Sequence, residues 1–260
     1  MRSILRKASV VALVAACAAP GGGAAQGAPR RGAQVTSAEQ LVRAMHDRYA
    51  KTWYRTLSFK QTVTRTAPDG TQAPKEVWAE YAEIPGKLRI DLAESYNGNG
   101  VIYANDSLYV FRDGALARKS ARRNPLLVLG FDVYGQSPER TLQVLREEKF
   151  DLSKLHTDSW QGRPVYVVGA DAGDLHSPQF WVDRERLLFV RLLEPQAQDT
   201  TKTSDIRFDD YRPLGKGWIS PTVVFLVDGK EAMREEYFDM KADPALPAGA
   251  LDPARWGPVR

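Results

Sequence analysis

Cysteine is nearly absent: the chain of 260 residues has one, Cys17. A single thiol closes no internal bridge, so the fold is stabilised without disulfides. Histidine is equally scarce. His46, His156 and His176 share no Cys/His or His-x-x-x-His spacing, which removes the ordinary zinc patterns. No Gly-x-Ser-x-Gly occurs, so the common nucleophile elbow is missing. Asn97-Gly98-Asn99-Gly100 lacks the Lys-Ser/Thr of a phosphate loop and reads as a turn. Excess charge is also missing. Arg2, Arg6 and Lys7 precede the first acidic residue, Glu39, and taking those three from the formal +4 leaves about +1. A nearly neutral chain has no general electrostatic claim on nucleic acid. What remains is ordinary for a globular protein: 43% hydrophobic and 26% charged residues, which excludes wholesale disorder.

The N-terminus reads as an export signal over residues 1–16. Met1 to Lys7 is basic, and Ala8 to Ala16 is an apolar stretch too short to span a bilayer. Cys17 follows at once, and two readings of it stand. Val14-Ala15-Ala16-Cys17 resembles a lipobox, in which cleavage makes Cys17 the lipidated first residue and a membrane anchor. Alternatively Cys17 is a small hydrophobe in a conventional signal cut near Ala25 or Ala28. Residues 17–36 are rich in Gly, Ala and Pro and form a flexible linker, and residues 37–257 form the folded domain.

Thr36-Ser37-Ala38-Glu39-Gln40 opens a helix whose narrow apolar face is Ala38, Leu41, Met45 and Tyr49, suited to lie on a sheet. Short alternating strands joined by tight turns follow as far as Phe111, the pattern of an antiparallel meander. Asn124-Pro125 starts a short apolar helix and Ser137-Pro138 a second one. Strands resume at Arg163. Ile206 and Phe208 alternate with Arg207 and Asp209, and Asp228-Gly229 is a two-residue hairpin signal. Between them, Val223 to Val227 is continuously apolar, so that strand buries both faces or lines something apolar. The count is about eleven strands.

Several side-chain groups invite chemistry and lose it on inspection. Asp209-Asp210 and Glu235-Glu236 are neighbours on strands, face opposite ways and cannot act as pairs. Asp171, Asp174 and His176, with Gly169 and Gly173 among them, read as a loop between strands. The basic cluster Arg118, Lys119, Arg122 and Arg123 reads either as a solvated loop or as a rim that meets lipid phosphate headgroups.

The order of motifs resembles the LolA-like family of outer-membrane lipoprotein-sorting proteins. It is carried by an amphipathic helix, Ser58-Phe59-x-Gln61, Ile84-Pro85-Gly86-Lys87-Leu88-Arg89, an Asp-Ser-Leu-Tyr-Val-Phe hairpin at 106–111, and two central helices. Asp209-Asp210-Tyr211, Gly217-Trp218-Ile219-Ser220-Pro221, Asp228-Gly229-Lys230 and a terminal Leu251 to Trp256 complete it. The resemblance implies an α+β fold, a strongly curved antiparallel sheet forming an incomplete barrel with helices across its concave face. It implies a non-enzymatic, monomeric envelope protein, periplasmic or membrane-anchored, without a cofactor, whose partners are lipid acyl chains or lipoproteins. An envelope-stress sensor on the same fold is the alternative, and a hydrolase a third. In the carriers an arginine of the Pro-Gly-Lys-Leu-Arg-like strand ties down the lid, which here implies Arg89. Candidates for the cavity wall are Leu126, Leu127, Leu129, Phe131, Val223, Phe225 and Val227. The segment 150–179 looks longer than in a compact carrier, and a lipobox does not suit a soluble shuttle.

Overall fold

The computed structural model describes residues 35–259. The expected export signal, Cys17 and most of the expected linker lie outside the described residues. Helix α1 (Ala38–Tyr49) begins at Ser37, whose hydroxyl accepts from the Gln40 amide. The first meander follows: β1 (Thr56–Arg65), β2 (Glu76–Glu83), β3 (Lys87–Asp91), β4 (Gly100–Ala104), β5 (Ser107–Arg112) and β6 (Ala115–Ala121). The middle holds α2 (Pro125–Gly130), a 3₁₀ turn (Asp132–Tyr134) and α3 (Pro138–Glu147). Asn124 caps α2 by accepting from the Leu126 and Leu127 amides, with Pro125 where no amide is needed.

The second meander comprises β7 (Leu155–Trp160), β8 (Arg163–Val168), β9 (Gln179–Asp183), β10 (Phe189–Pro195), β11 (Thr203–Asp209), β14 (Thr222–Val227) and β15 (Lys230–Ala242). Strands β12 (Arg212–Leu214) and β13 (Gly217–Ile219) form a separate ribbon. The other thirteen make one antiparallel sheet, ordered β6-β5-β4-β3-β2-β1-β15-β14-β11-β10-β9-β8-β7. It is an unclosed, curved barrel with β6 and β7 as its edges. Strand β1 therefore sits mid-sheet, paired with β2 on one side and with β15 on the other.

The fifteen strands among the described residues exceed the expected eleven by β6, β7, β12 and β13. The two edge strands β6 and β7 bury no residue, so neither carries the apolar alternation that marks a half-buried strand. The ribbon strands are three residues each, too short for a period to register.

The helices pack on the concave face. Leu41, Val42 and Met45 of α1, Leu142 and Leu145 of α3 and Val133 join Phe180, Val182, Leu192 and Phe208 of the sheet in one core. Tyr49, Trp53 and Tyr134 form an aromatic knot there, with ring centroids 4.0 Å apart for Trp53–Tyr134 and 5.3 Å for Tyr49–Trp53. The Tyr134 hydroxyl accepts from the Phe189 amide at 2.9 Å, which ties the 3₁₀ turn to β10.

The convex face has its own packing. Trp256 stacks on Phe111 at 4.2 Å, beside Ile102 and Ala104. A Cβ on Gly100 would stand 2.6 Å from the Trp256 ring and 2.4 Å from the Ile90 carbonyl, so only glycine fits beneath that indole. Further along, Arg191 lies over the rings of Trp160 and Trp181, at 4.2 and 4.7 Å.

Candidate functional site

Strand β14 shows how the site arises. Val223 and Phe225 point to the concave face opposite Phe208 and Ile206, while Val224 and Leu226 point to the convex face opposite Arg207 and Asp205. Across β15, Val224 also faces Arg234, so the aliphatic stems of two arginines flank it. Both faces are covered, by different means, and the loss of alternation in the sequence follows. On the concave side the packing is incomplete.

A cavity of about 270 Å³ opens there, walled by Leu57, Phe59, Ile206, Phe208 and Phe225 of the sheet and by Leu126, Leu127 and Phe131 of the α2 segment. Helix α2 acts as its roof. It rests on Phe208 through Gly130, where a Cβ would come within 2.9 Å of the ring, and through Phe131, 6.4 Å from Phe208 centroid to centroid. Its start is fixed by Arg123, which pairs with Asp106 of the β4–β5 turn at 2.7 Å and with Glu147 and Glu148 of the α3 end at 2.7 and 3.1 Å. Its far end is fixed by Asp132, whose carboxylate accepts from the Gly86 amide in the β2–β3 turn at 2.9 Å. Burial pushes Asp132 up to about 7, against the pull of that amide.

Four of the seven expected wall residues line this cavity: Leu126, Leu127, Phe131 and Phe225. Leu129 and Val223 are fully packed in the core instead, and Val227 lies outside the lining, next to the Asp228-Gly229 turn. Of the basic cluster, Arg122 and Arg123 stand at the cavity mouth. Arg123 is taken up by its three carboxylates, whereas Arg122 is exposed and makes no ion pair among the described residues. Arg118 and Lys119 lie on the β6 edge, where Lys119 covers the Tyr109 ring at 5.1 Å.

Arg89 does not touch the roof. Strand alternation sends Leu88 and Ile90 into the cavity and Arg89 to the convex face. There it is 1% exposed, forms two hydrogen bonds to Asp91 at 2.8 and 3.2 Å, and donates to the carbonyls of Ala250 and Gly257 at 3.1 and 2.6 Å. Its guanidinium lies 4.2 Å from the Trp256 ring. The arginine of this strand fastens the C-terminal segment, and the contact between strand turn and roof belongs to Asp132.

The floor of the cavity was not anticipated. Glu80 of β2, Glu235 and Tyr237 of β15 face into it. Glu80 is 5% exposed and Glu235 8%, and Glu80 makes no hydrogen bond or ion pair among the described residues. Glu235 accepts one hydrogen bond, from the Tyr237 hydroxyl at 3.2 Å. Burial pushes Glu235 up to about 7, opposed by Tyr237, the nearby Gln61 amide and Arg65. Burial, and then the Glu235 carboxyl, raise Glu80 well above the usual range. The available signal was parity on β2, where Trp78, Glu80 and Ala82 share a face, but Val77, Ala79 and Tyr81 are equally apolar.

Elsewhere the candidates disperse. Asp171 pairs with Lys154 at 2.7 Å, and Asp174 accepts from the His176 and Ser177 amides within its own loop. Among the described residues no group of three or more His, Cys, Asp or Glu is placed to hold a metal ion, and no helix is long and apolar enough to cross a membrane.

Sheet, roof and cavity together define a class: an incomplete antiparallel barrel with helices over an apolar hollow. No family model matches the chain, and no curated protein matches it by sequence. Solved structures match it in fold. A DUF1329 family protein from Desulfovibrio piger superposes with a TM-score of 0.54 at 12% identity, over 84% of this chain and 97% of its own. A putative outer membrane lipoprotein-sorting protein domain from Vibrio parahaemolyticus gives 0.52 at 11% identity, over 82% of this chain and 95% of its own. The fold is LolA-like.

Proposed function

We propose that this protein binds the acyl chains of lipids or lipoproteins in the bacterial cell envelope, without catalysis, and carries or sorts them. The observation that supports this most is the roofed apolar cavity, since burying a chain there yields about 0.8 kcal/mol per CH₂. At about 270 Å³ it falls just under the roughly 300–1,000 Å³ usual for ligand sites, so a longer chain enters only as α2 shifts on Phe208. Arg122 at the mouth is positioned to meet a phosphate headgroup. The N-terminal signal reading supplies the export, and Cys17 the anchor if it is lipidated.

The test is to purify the protein from its native envelope and analyse extracted lipid by mass spectrometry. A stoichiometric acyl lipid is expected. Its absence, together with a stably bound protein partner, would replace the carrier reading with a sensor on the same fold. The N-terminal peptide mass in the same sample decides between lipidated Cys17 and a later cut.

A further inference from the structure

The cavity floor holds more polar groups than an acyl chain can use. Strand β1 runs between β2 and β15, and Gln61 on it lies opposite Trp78 on one side and Tyr237 on the other. Glu80 stands opposite Phe59, two residues before Gln61, and Glu235 opposite Val63, two residues after it. Same-face diagonal neighbours of this kind are about 7–8 Å apart, so Gln61 stands between the two carboxyls. Gln61 is 0% exposed, yet neither its Oε1 nor its Nε2 makes a hydrogen bond, and these are two of the three such buried side-chain atoms among the described residues. Buried polar groups are almost always partnered, so this cluster calls for an occupant.

We propose that the floor receives the ammonium group of a long-chain amine, held by Glu80 and Glu235 above the buried Gln61, with its chain along Phe59, Phe225 and Leu126. An ammonium has three donors for the oxygens of the two carboxyls and supplies a cation in contact with them, which no side chain among the described residues does; Arg65, whose charge reaches Glu235, is paired with Glu76. Arg122 and Arg123 are at the cavity mouth, where Arg122, without an ion pair among the described residues, suits an anion instead. The inference rests on the cavity being a chain-binding site and adds the chemistry of what it selects.

The test compares dodecylamine, dodecanol and dodecanoate, each below its micellar concentration, in calorimetric titrations of the full chain. Dodecylamine is expected to bind at least about tenfold more tightly than dodecanol, with net proton release that dodecanol does not show. Glu80→Gln and Glu235→Gln should each shrink that preference to under about threefold. Equal binding of all three, or a preference for dodecanoate, overturns the proposal and leaves the chain-binding reading standing. No binding of any of the three defeats both. Should a variant lack a cooperative unfolding transition, the other variant and the proton count on the unaltered protein decide, and amine binding without proton release counts against the proposal.

Discussion

The two faces of this sheet bury charge in opposite ways. On the convex face Asp91 holds Arg89, and Asp205 holds Arg191 through two bonds of 2.8 Å while also accepting from Arg207 at 2.7 Å. Tryptophan rings cover both arrangements. On the concave face Glu80 and Glu235 face a hollow and have no cation in contact among the described residues. A fold that can pair buried charges this fully on one side does not lack the means to do so on the other. The convex pairs maintain the structure, and the concave carboxyls keep their hydrogen-bonding capacity for something that enters.

The sharpest way to break the comparison is at Arg89. Arg89→Met leaves Asp91 buried without its partner and frees the carbonyls of Ala250 and Gly257, so the loss should be about 3–5 kcal/mol by urea denaturation. A loss below about 1 kcal/mol would mean that the convex pair is not structural. Acyl-chain binding by the surviving folded fraction should be unchanged, since the residue faces away from the cavity.

The pH dependence of stability comes next. Glu235 and Asp132 are both raised to about 7 by burial, and burial lifts Asp91 as well despite Arg89. A carboxyl raised in the folded state stabilises fully below its unfolded value and loses that contribution as pH climbs through the folded one. Stability should therefore fall by about 1–3 kcal/mol between pH 5 and pH 8, and Glu235→Gln should remove part of that slope. Asp205 behaves oppositely: burial would raise it, but Arg191 and Arg207 outweigh burial and hold it down, so its contribution is lost only in acid. A profile that is flat from pH 5 to pH 8 would show that the concave carboxyls already have partners.

Arg122 is expected to give the smallest effect. Exposed and without an ion pair among the described residues, it should cost under about 0.5 kcal/mol when replaced by alanine. In its proposed headgroup role the same change should weaken binding to anionic vesicles about fivefold, near 1 kcal/mol. Equal vesicle binding by Arg122→Ala would confine the polar selectivity of the cavity to its floor.

Much of this was legible in the chain. The alternation in β1 and β11, the Asn124-Pro125 start of α2 and the Asp228-Gly229 turn are local signals, and each element stands where they put it. The edge strands were not legible, because a strand with neither face buried has no period to display. The parity that sends Arg89 away from the cavity was visible in Leu88 and Ile90, but the carbonyls it fastens lie more than 160 residues away, at Ala250 and Gly257. The floor was hidden for the same reason. Glu235 stands beside Glu236 in sequence, yet the carboxyl that matters to it is Glu80, brought near only because β1 lies between β2 and β15.

That placement of β1 also bears on how the molecule comes to exist. The first meander can assemble outward from β1 toward β6, and the second from β7 toward β14, each from neighbours in sequence. Their seam is the pairing of β1 with β15, whose partners are separated by most of the chain, and such distant contacts form slowly. Until β15 arrives, β1 presents an open edge, and Glu80 and Gln61 lie on one half of a floor whose other half is missing. The hollow is thus completed only by the pairing of β1 with β15, and a chain halted before Lys230 would lack Met233, Glu235 and Tyr237 of its lining.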